Sequence, residues 1–189
     1  QVFPESELVK LRERLGKREG ERLLITTSRL VAKNGIDIVI RSLEYLPPNV
    51  KFLVLGVGPD EEVLKKLAAD LHFSGRVLFV GHIDRAEIPK YLQISDVFVR
   101  PSRSEGMGNS FIEAMAAELP VIATQEGGIT DFLFDAKRNP DKETTGWAVD
   151  KDSPEQIAAA VKDILAHPEE VARVKVGAKK MVFENYDWG

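Results

Sequence analysis

Short apolar runs alternate along this chain with longer stretches whose apolar residues recur at helical spacing. The apolar runs predict six strands, at Leu23–Thr27, Lys51–Leu55, Val77–Val80, Val97–Arg100, Val121–Ala123 and Trp147–Val149. Strands that alternate with helices in this rhythm are typical of repeated βα units, which form a parallel sheet. The pattern therefore predicts an α/β fold with about six parallel strands.

Helical periodicity, bounded by Gly, Pro or Asp, marks most of the remaining chain. The predicted helices are Glu5–Leu15, Ile36–Leu46, Asp60–Leu71, Arg85–Ile94, Ser110–Glu118, a helix capped by Ser153 that runs to about Ala166, and a last helix from Pro168 to roughly Asn185. The polar segment Asp135–Thr145 is predicted to be a surface loop. Together these elements predict a single Rossmann-like, doubly wound domain over residues 1–189, with helices on both faces and ligands at the carboxyl ends of the strands.

Composition narrows the class of protein. Of the 189 residues, 43% are hydrophobic and 30% charged, as in ordinary globular domains, and the net charge of −4 lacks the basic excess of a nucleic-acid-binding protein. The absence of cysteine excludes disulfides and cysteine-bound metals. No apolar run approaches the ~20 residues of a membrane span, and we expect a cytoplasmic protein. Because the chain begins at Gln1 rather than Met, we expect a fragment of a longer protein.

The stretch 101–116 carries the strongest functional signal, because it leads from a predicted strand into a predicted helix through Gly106 and Gly108. Glycine lets backbone N–H groups approach a ligand closely, and the start of a helix attracts anions such as phosphate. Glu105 and Glu113 flank the junction with seven residues between them, and carboxylates accept hydrogen bonds from sugar hydroxyls. The combination favours a nucleotide sugar over a bare nucleotide as the ligand.

Five motifs in a fixed order give the chain a family resemblance. They are Thr27–Leu30, Leu53–Pro59, Glu105-x7-Glu113 with Ala114–Ala116, Pro120–Thr124, and Gly127-Gly128. The set resembles the signature of retaining glycosyltransferases of the family-4 type, which have two Rossmann-like domains (the GT-B architecture). The resemblance is to the C-terminal, donor-binding domain and extends over nearly the whole chain.

The resemblance implies an enzyme that moves a sugar from a nucleoside diphosphate to an acceptor hydroxyl while keeping the anomeric configuration. It also implies that the N-terminal, acceptor-binding domain is absent, so that the chain alone binds the donor but hardly turns it over. Membrane association is expected only through that missing half. The nucleotide sugar is a substrate, and we expect neither a cofactor nor a metal, since His72, His82 and His167 lack metal-ligand spacing.

Within the family resemblance, the donor-binding residues surround the two glutamates. Glu105 is implied as the catalytic residue, which contacts the hydroxyls of the donor sugar, and Glu113 as the ligand of the ribose hydroxyls. Donor binding is also implied for the residues between them: Gly106, Met107, Gly108, Asn109 and Ser110. Two alternatives stay open: Glu105 as a solvated loop carboxylate, and Glu113 as the second member of a Ser110-x-x-Glu113 capping box.

The loop after the first strand departs from the family pattern. That pattern has an arginine, a lysine five residues later and then a glycine, and the two cations hold the donor diphosphate. Arg29 and Gly35 fit, but Asn34 occupies the lysine position and Lys33 lies one residue early. Lys33 is either a phosphate ligand or an ordinary surface lysine, and Asn34 can donate only a neutral hydrogen bond. Arg100 replaces a usually apolar residue and either adds positive charge near the phosphates or makes an outward salt bridge.

Further residues are implied to line the pocket with their backbone. They are Gly56 beside the nucleotide, His82 and Ile83 at the base, and Gly127 and Gly128 at the sugar. The Gly56-x-Gly58 turn itself fails the dinucleotide-binding fingerprint, because Glu61 occupies the position of the third glycine. For Gly127-Gly128, a plain turn is the alternative.

Two other functions stay open. One is a nucleotide-sugar-binding module without activity, which Asn34 at the lysine position favours. The other is a related two-domain enzyme such as a sugar-nucleotide epimerase or a phosphorylase, and a phosphorylase needs a lysine for pyridoxal phosphate that no motif here marks. The two glutamates together with Gly127-Gly128 favour the transferase.

Overall fold

The computed structural model describes residues 2–186 and confirms the α/β fold. The strands are β1 (Arg22–Thr27), β2 (Val50–Leu55), β3 (Val77–Gly81), β4 (Val97–Arg100), β5 (Val121–Ala123) and β6 (Trp147–Ala148). They form one six-stranded sheet in the order β3-β2-β1-β4-β5-β6, and each neighbouring pair is parallel. The predicted doubly wound topology is therefore confirmed.

Helices connect the strands and cover both faces of the sheet. Over residues 2–186 they are α1 (Glu5–Arg14), α2 (Ile36–Ser42), α3 (Glu61–Asp70), α4 (Ile88–Gln93), α5 (Asn109–Ala116), α6 (Pro154–Ala166) and α7 (Pro168–Asn185), with short 3-10 turns at Ala32–Asn34, Leu43–Tyr45 and Gly127–Asp131. The segment 135–145 contains neither helix nor strand, as expected of a surface loop. None of these helices combines the length and the apolar character needed to cross a bilayer.

Two predicted helices end early for local reasons. The helix predicted over Ile36–Leu46 stops at Ser42 and continues as a 3-10 turn, because Leu46 precedes Pro47 and has the extended angles φ −116° and ψ 151°. A residue before proline is sterically biased away from helical angles. Helix α5 ends two residues before the predicted Glu118, which has a left-handed φ of 60°.

Both faces of the sheet are buried, and each has its own cluster of apolar side chains. Phe52 and Val54 of β2 pack with α2, α3 and α6, whereas Leu53 and Leu55 pack with α1, α4 and α5. Helix α7 contributes side chains to both clusters. This burial explains why the strands read as continuous apolar runs instead of alternating patterns.

The strand order reverses between β1 and β4. Strand β1 pairs with β2 on one side and with β4 on the other. The loop after β1 leads to α2 on the first face, and the loop after β4 leads to α5 on the opposite face. These two loops therefore diverge at the carboxyl edge of the sheet, which is where ligands bind in doubly wound folds.

At the opposite, amino edge of the sheet, Arg76 anchors the turn between α2 and β2. Its guanidinium donates to the carbonyl oxygens of Val50 at 3.1 Å, Leu43 at 3.0 Å, Leu46 at 3.4 Å and Pro47 at 2.8 Å. Burial lowers the pKa of Arg76, although an arginine stays charged at neutral pH. Arg76 therefore stabilises the backbone at the amino edge of the sheet, far from the carboxyl edge.

Candidate functional site

The loop between β4 and α5 presents the start of a helix at the carboxyl edge. Gly108 has a left-handed φ of 71°, and α5 begins at Asn109. The N–H groups of Phe111 and Ile112 donate to the Gly108 carbonyl at 3.0 and 3.3 Å. The N–H groups of Asn109 and Ser110 make no hydrogen bond within residues 2–186. Free donors at a helix N-terminus suit an anion.

The capping box considered for Ser110 and Glu113 is wrong. Gly108, and not Ser110, occupies the N-cap position, and no side chain caps the helix. The Glu113 carboxylate instead accepts a hydrogen bond from Nη2 of Arg85 at 3.3 Å. Arg85 lies in the loop before α4, outside the helix that was predicted to begin with it, and its side chain is 88% exposed. Glu113 therefore faces the loop that follows β3.

Hydrogen bonds hold the Glu105 carboxylate in place. Its Oε2 atom accepts from Nη2 of Arg100 at 2.6 Å and from Oγ of Ser102 at 3.0 Å. Its Oε1 atom accepts from the N–H of Gly106 at 3.2 Å. Only 10% of the Glu105 side chain is exposed. The alternative of a solvated loop carboxylate is therefore wrong.

Arg100 points into the protein and not outward. Besides the bond to Glu105, its Nη1 atom donates to the Thr27 carbonyl at 3.0 Å, and the guanidinium carbon lies 4.5 Å from the ring centroid of Phe111. Burial lowers the pKa of Arg100, and the neighbouring Glu105 carboxylate opposes that shift. The alternative of an outward salt bridge is therefore wrong, because the ion pair is buried.

The loop after β1 exposes two cations and buries the side chain of Asn34. Arg29 and Lys33 are exposed, whereas Asn34 is buried and donates from Nδ2 to the Arg29 carbonyl at 2.7 Å. The N–H of Arg103 donates to the Lys33 carbonyl at 2.7 Å, which joins this loop to the one after β4. The assignment of Asn34 to the donor-binding residues is thus corrected: its amide supports the loop from inside.

A cavity of about 460 Å³ opens at the carboxyl edge of the sheet. Its lining includes six of the predicted site residues: Arg29, Gly56, His82, Ile83, Ser110 and Glu113. The other lining residues are Thr27, Ser28, Leu55, Val57, Arg85 and Ile88. The cavity thus brings together an exposed guanidinium, a carboxylate and the N-terminal turn of α5. Sequence reasoning missed Arg85, because no motif marks an exposed arginine in a loop.

The remaining predicted residues lie outside this lining. They are Lys33, Asn34, Glu105, Gly106, Met107, Gly108, Asn109, Gly127 and Gly128. Met107 is 79% exposed. The N–H of Gly128 donates to the Gly106 carbonyl at 3.1 Å, and a Cβ atom on Gly127 or Gly128 would overlap the carbonyl oxygen of Glu105 or Gly106 respectively. This glycine pair is therefore a close backbone approach and more than a plain turn.

A second, somewhat larger cavity of about 500 Å³ lies beside β6. It is lined by the loop 135–138, by Thr144, by 146–149 and by α6 and α7 residues, and none of the predicted site residues lines it. In the part of the chain that the structure describes, no group of three or more His, Asp or Glu side chains could hold a metal ion. Size alone would select the β6 cavity, whereas the unpaired N-terminal turn of α5 and six of the predicted site residues select the cavity at the carboxyl edge.

Comparison with known proteins connects this geometry to a family. The model of the family described as "Glycosyl transferases group 1" matches residues 9–181. The GDP-mannose-dependent alpha-(1-6)-phosphatidylinositol monomannoside mannosyltransferase of Mycolicibacterium smegmatis is 33% identical over 190 residues, which cover 95% of this chain and 47% of that protein. The chain spans about half the length of the curated relatives it matches.

Two solved structures share the fold. Anabaena HepE, in complex with UDP and glucose, superposes with a TM-score of 0.87 at 23% identity, over 98% of this chain and 49% of that one. The C-terminal domain of a glycosyl transferase group 1 family protein from Francisella tularensis has a TM-score of 0.78 at 23% identity, over 100% of this chain and 95% of that one. The predicted fold and family are both confirmed.

Because Gly128 lies close to the loop after β4, replacing it by alanine should destabilise the protein, whereas the same change at Gly75 should not. Gly128→Ala forces a Cβ atom against the Gly106 carbonyl, and it should lower the free energy of unfolding by about 1–3 kcal/mol. Gly75→Ala meets open space and should be neutral or stabilising by up to about 1 kcal/mol. Urea denaturation measures both, and equal unfolding free energies for the two variants would contradict the close approach.

Proposed function

This chain belongs to the glycosyl transferase group 1 family, and we propose that it is the nucleotide-sugar-binding domain of a retaining glycosyltransferase. Such an enzyme transfers a sugar from a nucleoside diphosphate to an acceptor hydroxyl and keeps its anomeric configuration. One observation carries the proposal: Arg29, the N-terminal turn of α5 and Glu113 surround a single cavity at the carboxyl edge of the sheet.

The diphosphate of the donor is proposed to bind on the positive side of the cavity. Arg29 offers a planar guanidinium that suits phosphate oxygens, and the free N–H groups of Asn109 and Ser110 add donors at the start of α5. Lys33, exposed on the same loop as Arg29, is the proposed second cation. These groups would stabilise the negative charge that develops on the departing diphosphate, which is an electrostatic contribution to catalysis.

The nucleoside is proposed to bind on the acidic side of the cavity. The Glu113 carboxylate can accept hydrogen bonds from two vicinal ribose hydroxyls. Its 3.3 Å pair with the exposed Arg85 is weak enough for a ligand to displace or share. The backbone of His82 and Ile83, which line the same cavity, is the proposed neighbour of the base.

The transferred sugar is proposed to bind beside Glu105. The backbone of Gly127 and Gly128 packs directly against the chain at Glu105 and Gly106, so the four residues form one continuous border. Glu105 would accept a hydrogen bond from a sugar hydroxyl and orient the ring, which is a positioning role in catalysis. Exposed Met107 lies on the same loop.

The donors of similar proteins support the proposed class of donor. The M. smegmatis relative is GDP-mannose-dependent, and HepE was solved with UDP and glucose, so we propose a nucleoside diphosphate hexose. Because the chain spans about half the length of its curated relatives, an N-terminal acceptor-binding domain of the same protein is the proposed partner. The chain alone should then bind the donor with little turnover.

Replacing Arg29 tests the diphosphate site. Arg29→Ala should weaken GDP and UDP binding by about 1.5–3 kcal/mol, the worth of a hydrogen bond to a charged group. Guanosine and uridine, which carry no phosphate, should bind unchanged. Arg41→Ala is the matched control, because Arg41 is an exposed arginine of α2 that does not line the cavity. Titration calorimetry measures each affinity; unchanged diphosphate affinity would remove Arg29 from the site.

Replacing Glu113 tests ribose recognition. Glu113→Gln loses only an exposed ion pair, worth about 0–1 kcal/mol, so the melting temperature should stay close to that of the parent. The neutral amide is a weaker acceptor, so GDP and UDP should bind several-fold more weakly, whereas 2′,3′-dideoxy analogues should be much less affected.

The matched control for this test is Glu118→Gln, which loses the 2.9 Å ion pair to Lys179 just beyond the far end of α5, outside the cavity. If Glu113→Gln and Glu118→Gln bind the natural nucleotides equally well, Glu113 does not contact the ribose.

A further inference from the structure

Arg100 is a buried charge at the carboxyl end of a central strand. It ends β4, a central strand, and only 6% of its surface is exposed. Taking a charge out of water is expensive, and an apolar side chain of similar volume often serves a core equally well or better. The Nε atom of Arg100 is also buried without a hydrogen-bond partner among residues 2–186. The cost of this arrangement calls for an explanation beyond packing.

The contacts of Arg100 lead to the Glu105 carboxylate. One end of the guanidinium is fixed by the Thr27 carbonyl at 3.0 Å, and its face lies against the Phe111 ring at 4.5 Å. The other end donates to Oε2 of Glu105 at 2.6 Å. The end of β1 and the start of α5 therefore orient Arg100, and Arg100 in turn orients Glu105.

We propose that Arg100 is a positioning residue, which fixes Glu105 so that the carboxylate offers a single acceptor site to the donor sugar. This inference rests on the proposed function. A carboxylate has about four lone-pair sites. Arg100 and Ser102 occupy the two on Oε2, and the N–H of Gly106 occupies one on Oε1. The fourth site, on Oε1, is the one that a sugar hydroxyl can use.

An arginine suits this task better than a lysine. The guanidinium reaches the Thr27 carbonyl with Nη1 and Glu105 with Nη2 in one rigid plane. A lysine ammonium on a flexible stem is a point charge without that fork. Arg100→Lys should therefore keep the positive charge but orient the Glu105 carboxylate less well. The affinity of this variant for sugar nucleotides should lie between those of the parent and of Arg100→Met.

The decisive readout is the affinity ratio between a sugar nucleotide and its bare nucleotide. Titrations of GDP-mannose against GDP, and of UDP-glucose against UDP, give this ratio for each variant. Arg100→Met should lower the ratio about tenfold, because the sugar loses a well-oriented charged acceptor, and should leave the affinity for GDP and UDP unchanged. Arg76→Met is the matched control: it removes a guanidinium bonded to carbonyls at the far edge of the sheet and should keep the ratio.

A double variant keeps the proposal testable if Arg100→Met fails to fold. Arg100→Met/Glu105→Gln removes both members of the buried pair and leaves no unpaired charge. Because Arg100 acts only through Glu105, the double variant should show the same ratio as Glu105→Gln alone. A lower ratio in the double variant would mean that Arg100 touches the donor itself, which would overturn the positioning role.

The proposed function and the proposed role of Arg100 can be contradicted separately. If the parent chain binds neither GDP nor UDP, the proposed function fails. If the parent binds the nucleotides but Arg100→Met keeps the parent's affinity ratio, or lowers nucleotide and sugar-nucleotide affinity equally, the proposal for Arg100 fails while the nucleotide site stands.

Discussion

The parallel pairing of β1 with β4 is the constraint on which the candidate site depends. Leu24 and Ile25 pair with Val97 and Phe98, so the two strands end side by side at the carboxyl edge of the sheet. Their connections then turn to opposite faces, because α2 covers one face and α5 the other. The two diverging loops leave a space between them at this edge, which is where ligands bind in doubly wound folds.

Hydrogen bonds from buried or half-buried side chains hold the two loops at this edge. Asn34 fixes the first loop through the Arg29 carbonyl, and Arg100 joins the end of β1 to the loop after β4. Arg103 adds a second tie, since its backbone N–H donates to Lys33 while its guanidinium pairs with Asp37 at 3.0 Å. The loop after β1, which carries Arg29 and Lys33, and the loop after β4, which carries Glu105, are thus joined to each other by hydrogen bonds.

The sheet, its helices and most residues of the candidate site could be predicted from the sequence. Buried parallel strands leave continuous apolar runs, and the junction between β4 and α5 is marked by its glycines. The inward orientation of Arg100 could also be predicted, because side chains alternate along a strand and Arg100 therefore shares a face with Phe98. In the structure both side chains contact Phe111. The capping interpretation of Glu113 failed because Gly108, in a left-handed conformation, is the N-cap, so that α5 begins at Asn109, one residue before Ser110. Contacts between distant loops leave no local pattern.

The most direct test of the central claim is an amide chemical-shift titration of this chain with GDP and with UDP, followed by NMR. We predict that at least one of the two nucleotides saturates the chain and shifts the amides of 29–33, 82–83 and 106–113, the segments that line the 460 Å³ cavity or adjoin its lining residues. The amides of 135–138 and 146–149, around the 500 Å³ cavity beside β6, should stay unchanged. Saturable shifts confined to the β6 cavity, or no saturable shift with either nucleotide, would contradict the account.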